Sequence, residues 1–293
     1  MYDHPEQPTR NVAVAEIGSM RANSPLRAAI HILLSRAGWV WGGSGRGNEP
    51  PVISDPRELW LLRHGQSAGN VARDSATADV EVLDIAERDM DVPLSELGDR
   101  QATAFGLWLR SQDRRPEVVI SSPYVRAVQT AEIVAELAGL PGGVHTDERL
   151  REREFGVLDL LTHRGIEAKF PGEAERRRRL GKFYHRPPGG ESWVDVALRV
   201  RSLRDSLARE HLDKRVLLVA HEVVILIWRY LIEDLDERAT LALGHDAPLA
   251  NCSLTRYVTV DEQLRLDLAG WTAPMTESGV PVTKDHDVAV APR

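Results

Sequence analysis

The chain has 293 residues, 42% of them hydrophobic and 28% charged, which is the balance of an ordinary globular protein. A net charge of -7 at pH 7 argues against nonspecific nucleic-acid binding and leaves room for a small cationic pocket. The single cysteine, Cys252, excludes an internal disulfide framework and a cysteine-built zinc site, so a reducing, cytoplasmic setting is expected.

Residues 1–55 mix Pro, Gly, Ser, Asn and Arg and read as a flexible N-terminal extension. Leu26 to Trp41 has the pattern of one short amphipathic helix, and Gly42 to Gly47 that of a linker. No strand precedes those glycines and no Gly-Lys-Ser/Thr follows, which disfavours a phosphate loop. The stretch Ala28 to Trp41 is the nearest approach to a membrane span. His31 and Arg36 interrupt it, and it falls short of the roughly 18 apolar residues required, so no membrane partner is expected.

A single domain is expected over residues 56–271. Its apolar runs are Leu59 to Leu62, Val118 to Ile120, a weaker one near Val144, and Val216 to Ala220. Between them lie helical patterns. Ser95 to Arg110 gathers Leu97, Ala104, Phe105 and Trp108 on one side. Ser122 and Pro123 read as an N-cap with proline at the first position of a helix reaching Gly139. Ser192 and Asp195 fit a capping box, and the helix after them aligns Val196, Val200, Leu203 and Leu207. Strands alternating with helices predict an α/β fold, a three-layer α/β/α sandwich around a mostly parallel sheet. Ser253 to Val260 and Leu264 to Leu268 look like an antiparallel hairpin at the sheet edge, and residues 272–293 like a loose tail. The run Arg176 to Arg179 reads as a solvated helix face. The acidic insertion from Val71 to Met90 fits either a lid or a surface excursion.

In open parallel sheets ligands bind where the strands end at their carboxyl side. Leu62 is followed by Arg63, His64 and Gly65. Ile120 is followed by Ser121 and Ser122, with Arg126 in the next helix, and Ala220 by His221. Two histidines and two arginines thus meet at one edge, beside helix N-termini that favour anions. Taken singly each is weak; their arrival together points to an anionic ligand.

The segment Arg63-His64-Gly65-Gln66-Ser67-Ala68-Gly69-Asn70 resembles the RHG signature of the histidine phosphatases, the phosphoglycerate mutase-like superfamily. Asp91 to Ala102 is similar to that family's next helix entry and Ser121 to Ala131 to its second arginine motif. Leu150 to Gly156 resembles its acid motif, and Val216 to Val224 its second histidine motif. Five motifs in order are far more specific than RHG alone.

The resemblance implies a metal-independent phosphatase acting on a small phosphorylated metabolite, with no cofactor and no metal. His64 is the implied nucleophile, forming a phosphohistidine, a task suited to a neutral imidazole near pH 7. Arg63 and Arg126 hold the non-bridging oxygens, for which a planar, permanently charged fork is suited. His221, cationic in the complex, supplies a further donor. Gly65, Ser67, Asn70 and Glu222 are the other implied substrate contacts. Glu152 is implied as general acid and base; its neighbours Glu148 and Glu154 are separated from it by the motif and not by spacing alone. His221-Glu222 is no zinc motif, since Ile225 occupies the place of the second histidine. His145, His163, His185, His211 and His245 show no ligand spacing.

Phe183 to Ser192 resembles the corresponding stretch of fructose-2,6-bisphosphatases and broad-range phosphatases. Leu226 and Gly189 stand where relatives that bind a second phosphate often carry basic residues, so a monophosphate preference is expected. Arg186, Lys182 or the Arg176 to Arg179 run would be the compensating cations. Two rivals remain: a phosphoglycerate mutase-type phosphoryl transfer and a non-catalytic phospholigand-binding protein.

Overall fold

The computed structural model describes residues 55–284. Of the expected extension only Asp55 is described; the short helix and the glycine linker fall outside the described residues, as does the segment 285–293.

Each apolar run becomes a strand: β1 (Glu58–Arg63), β2 (Val118–Ser121), β3 (Val144–Thr146) and β4 (Arg215–Ala220). With β5 (Leu254–Val260) and β6 (Gln263–Trp271) they form one sheet in the order β3-β2-β4-β1-β5-β6. The first four strands are parallel, and β5 and β6 complete the β1 side as an antiparallel pair. Register fixes the site. Arg63 lies opposite Ala220 and Ser121 opposite Val219, so the chain leaves all three central strands at nearly one level.

Alternation along the strands divides the interior in two. Leu59, Leu61, Val216, Leu218 and Ala220 enter one core, Trp60, Leu62, Leu217 and Val219 the other. In chain order the helices are α1 (Ala68–Ser75), α2 (Glu96–Arg110), α3 (Val125–Ala138), α4 (His163–Lys169) and α5 (Pro171–Tyr184). Then follow α6 (Trp193–Glu210), α7 (Glu222–Ile232), α8 (Glu237–Asp246) and α9 (Ala273–Glu277). Helices α6 and α7 close the first core, α2 and α3 the second, which gives the three layers. Each fully buried Leu, Ile or Val side chain contributes about 2 kcal/mol relative to exposure. Among the described residues no helix is long and apolar enough to cross a membrane.

The caps explain where helices begin. Ser95 accepts from the Gly98 amide at α2, and Ser192 and Asp195 form the expected capping box at α6. Helix α3 differs from expectation. It starts at Val125 after Tyr124, with no side-chain cap, because the Ser122 hydroxyl is bound to His221 and to the Tyr124 amide. It ends, as expected, at Gly139, whose φ of 62° suits a residue without a side chain.

Residues 272–284, expected as the start of a loose tail, are packed. Met275 is fully buried in the second core, with Val280 and Val282 against it. Apolar spacing there is too short for a periodic signal, so the sequence reads as a tail although the side chains are needed to close the core. The Val71 to Met90 insertion also has a place. The Leu83 amide donates to the Leu160 carbonyl at 2.8 Å and the Thr162 amide to Glu81 at 3.1 Å. These bonds lay the insertion along the 160–162 segment, where Leu83, Ile85 and Asp89 line a cavity at the strand ends.

Candidate active site

The cavity has a volume of about 470 Å³, and Arg63, His64, Ser67, Asn70, Arg126, Glu152 and Glu222 all line it. His64 leaves β1 with its amide bonded to the Ala220 carbonyl and its own carbonyl to the Cys252 amide, so sheet neighbours on both sides fix its backbone. Its Nδ1 lies 2.7 Å from the Gly65 carbonyl. A carbonyl only accepts, so Nδ1 carries the proton and the lone pair resides on Nε2.

Gly65 does not line the cavity. A Cβ there would stand 2.6 Å from the Gly98 carbonyl, and one on Gly98 would stand 2.0 Å from the Gln66 carbonyl. Gly65 therefore serves the close approach of loop and helix, and its amide is held by Thr130 at 3.0 Å. Ser67 and Asn70 form the capping box of α1, each holding the other's backbone amide. Their side chains are thereby fixed at the cavity wall. Asn251, which no motif signalled, donates to both the His64 carbonyl and Asn70 Oδ1 at 3.3 Å.

Arg63, 1% exposed, donates through Nη1 to the Leu249 carbonyl, while Glu222 accepts from the Leu249 amide at 3.0 Å. Together they brace the 249–251 loop from the cavity floor. Arg126, in the first turn of α3, lies with its guanidinium 5.0 Å from the Tyr124 ring centre. On its open side it meets Asp89, at 3.1 Å.

His221 is fully buried, its Nε2 2.8 Å from Ser122 Oγ. Nδ1 makes no hydrogen bond, is itself buried and stands 4.0 Å from Glu152 Oε2; His221 does not line the cavity but packs behind the residues that do. The His64 and His221 rings are 5.1 Å apart. Burial, reinforced by Arg126, His64, Arg199 and Arg63, holds His221 well below the ordinary histidine range. The expected cationic form thus requires the charge of a bound anion.

Of the three neighbouring glutamates, Glu152 is the one that lines the cavity; Glu148 and Glu154 do not. Glu154 instead accepts from the Gly156 amide at 3.0 Å. Burial pushes the Glu152 carboxyl up to about 7, opposed by a 2.7 Å bond from the Arg153 amide. Behind it, Arg199 reaches the Glu152 carbonyl at 3.2 Å and pairs with Glu191, which also accepts from Arg151 and the Glu154 amide. This frame is the structural use of the Gly190-Glu191-Ser192 stretch.

The arginine run divides. Arg176 and Arg178 pair with Glu173 and Glu175 on α5, whereas Arg177 lines the cavity with Lys182 and His185. Among the described residues no cluster of three or more His, Cys, Asp or Glu side chains is arranged to hold a metal ion. The assembled groups can bind a tetrahedral anion, present an imidazole lone pair to it and move one proton beside it.

Comparison with known proteins agrees with this geometry. The profile of the histidine phosphatase superfamily (branch 1) matches residues 59–272. The chain is 33% identical over 217 residues to a probable phosphoglycerate mutase, GpmB, of Yersinia enterocolitica, spanning 73% of this chain and 89% of that one. Its fold resembles mycobacterial glucosyl-3-phosphoglycerate phosphatase in complex with inorganic phosphate, with a TM-score of 0.56 and 32% identity over 74% of this chain and 99% of that chain. Bacillus stearothermophilus YhfR is similar with a TM-score of 0.60 and 25% identity, covering 74% of this chain and 98% of its own. The chain belongs to branch 1 of the histidine phosphatase superfamily and is a phosphatase.

Proposed function

We propose that the protein hydrolyses small phosphate monoesters without a metal ion, through a phosphohistidine on His64. His64 Nε2 attacks phosphorus as the bond to the substrate oxygen breaks, and Glu152 gives its proton to the departing alkoxide. Water then attacks the phosphohistidine, Glu152 takes a proton from that water, and inorganic phosphate leaves with His64 restored. Arg63, Arg126 and His221 Nδ1 stabilise charge on the phosphoryl oxygens. Asn70 adds a neutral donor, oriented by Ser67, whose hydroxyl donates to Asn70 Oδ1 at 3.0 Å, and Glu222 shapes the floor they share. The observation that carries this reading is the meeting, in one cavity, of a Nδ1-protonated His64 with two arginines and a carboxyl pushed up to about 7, with His221 packed behind them 5.1 Å from the His64 ring.

The test is hydrolysis of a panel of phosphate esters in EDTA, comparing the wild type with His64→Ala. Activity should survive chelation and fall by roughly 10³-fold or more in the variant. Activity lost to EDTA, or retained without His64, defeats the mechanism. The panel pairs monophosphates with bisphosphates, because the preference for one phosphate rests on Leu226 and Gly189 while Arg177 and Lys182 face the same cavity. The likeness to a probable phosphoglycerate mutase favours one second reading, phosphoryl transfer to an alcohol. Transfer of label to an acceptor faster than to water would establish it.

A further inference from the structure

Arg126 is assigned to the phosphoryl group in the proposed function, and the inference here rests on that reading. Its guanidinium is already engaged. Nη1 donates to the Asp89 carbonyl, and Nη2 lies 3.1 Å from Asp89 Oδ1 and 3.3 Å from Oδ2. Asp89 belongs to none of the five motifs. It comes at the end of the acidic insertion, on the short 3-10 turn Asp89–Asp91.

The two partners differ in freedom. The Arg126 side chain is 6% exposed and the Asp89 side chain 37%. Arg126 is fixed by the ring of Tyr124 and the first turn of α3, whereas the aspartate has solvent beside it. Both residues line the cavity. A carboxylate and a phosphoryl group are both anions that seek the same N–H donors, and the fork cannot serve both fully. Asp89 also bears on its neighbours: its charge is among the causes that raise Glu152 and Asp159.

We propose that Asp89 is an internal competitor for the phosphoryl site, a carboxylate that occupies the Nη2 arm of Arg126, yields it to a phosphoryl dianion and reclaims it as phosphate departs. Two properties follow. Displacement favours doubly charged monoesters over carboxylates or phosphodiesters, which carry no more charge than Asp89 itself. It also weakens the hold on inorganic phosphate, the product. Asp89 is in this sense a specificity-determining residue supplied by the insertion.

A residue that merely propped Arg126 in place would have the opposite effect on binding, so the sign of one measurement decides. Calorimetric titration with inorganic phosphate compares the wild type, Asp89→Asn, Arg126→Gln and the double variant, with Asp89→Ser as a second charge-removing change should Asp89→Asn misfold. Asp89→Asn is expected to bind phosphate about fivefold more tightly, the scale of a partly exposed ion pair. The gain should vanish in the Arg126→Gln background. Equal or weaker binding after removal of the Asp89 charge overturns the proposal, as does an equal gain without Arg126, or no phosphate binding by any of the proteins. Because binding is read without turnover, tighter phosphate binding by Asp89→Asn in a protein whose ester hydrolysis survives His64→Ala would defeat the catalytic reading and leave the competition standing.

Discussion

Glu152 places a carboxyl where both its states have a use, between the Arg153 amide and the buried ring of His221. Burial favours its neutral form, so it keeps a proton until about pH 7 and loses it above. An acid that protonates a leaving alkoxide is competent only while protonated. kcat/KM for alkyl phosphates should therefore fall as pH rises through about 7. Glu152→Gln should remove that limb and lower the rate by roughly 10²–10⁴-fold, with less loss on aryl esters, whose leaving groups need no proton. An unchanged pH profile in the variant would place the acid elsewhere. Stability gives the matching sign. A carboxyl raised in the folded state costs stability once ionised, so at pH 8 Glu152→Gln should melt above the wild type. At this scale the meeting of His64, His221, Arg63 and Arg126 at one sheet edge was legible, because chain order and parallel topology suffice to bring strand ends together. Tyr124, Asn251 and Asp89 were not, since their placement depends on loop conformations that no periodicity encodes. Ser122 was legible as a strand-end residue but read as a cap, because a serine before proline carries that signal whether or not its hydroxyl is taken elsewhere.

The loop after β1 is held less by its own residues than by the start of α2. The Ser95 amide bonds the Gln66 carbonyl at 2.9 Å, Gln101 accepts from the Gln66 amide at 2.9 Å, and Gly65 and Gly98 allow the two backbones to touch. A Cβ on Gly98 meets backbone, which cannot swing aside as a long side chain would. Gly98→Ala should cost about 1–3 kcal/mol in denaturant unfolding and lower activity further by shifting His64. A variant with wild-type stability and rate would show that the loop accommodates the methyl freely. The elements themselves were largely readable: the four apolar runs became strands, and the Val196, Val200, Leu203 and Leu207 stripe is buried in the first core. The packed segment after Trp271 was not, because its burial is dictated by a gap in the second core and not by a pattern of its own.

Across the molecule, the last described residues support the loop that follows β1. Thr283 donates to Asn251 Oδ1 at 2.9 Å and receives a bond from Gln101; Asn251 in turn holds the His64 carbonyl. Residues 273–284 lie beyond the stretch matched by the superfamily profile. Thr283→Val should therefore lower kcat severalfold with little change in KM, since it loosens the mount of His64, the proposed nucleophile, and lies outside the cavity lining. A rise in KM alone would assign the segment to binding. Strand order carries a further consequence, for synthesis. Among the described strands, the one that ends at His64 is translated first, yet its two hydrogen-bonded neighbours, β4 and β5, are translated more than 150 residues later. Pairings this distant form slowly, and β1 has no sheet to join until they arrive. The nascent chain therefore carries this apolar strand unpaired until β4 and β5 are made, and His64 gains its backbone partners, Ala220 and Cys252, only then.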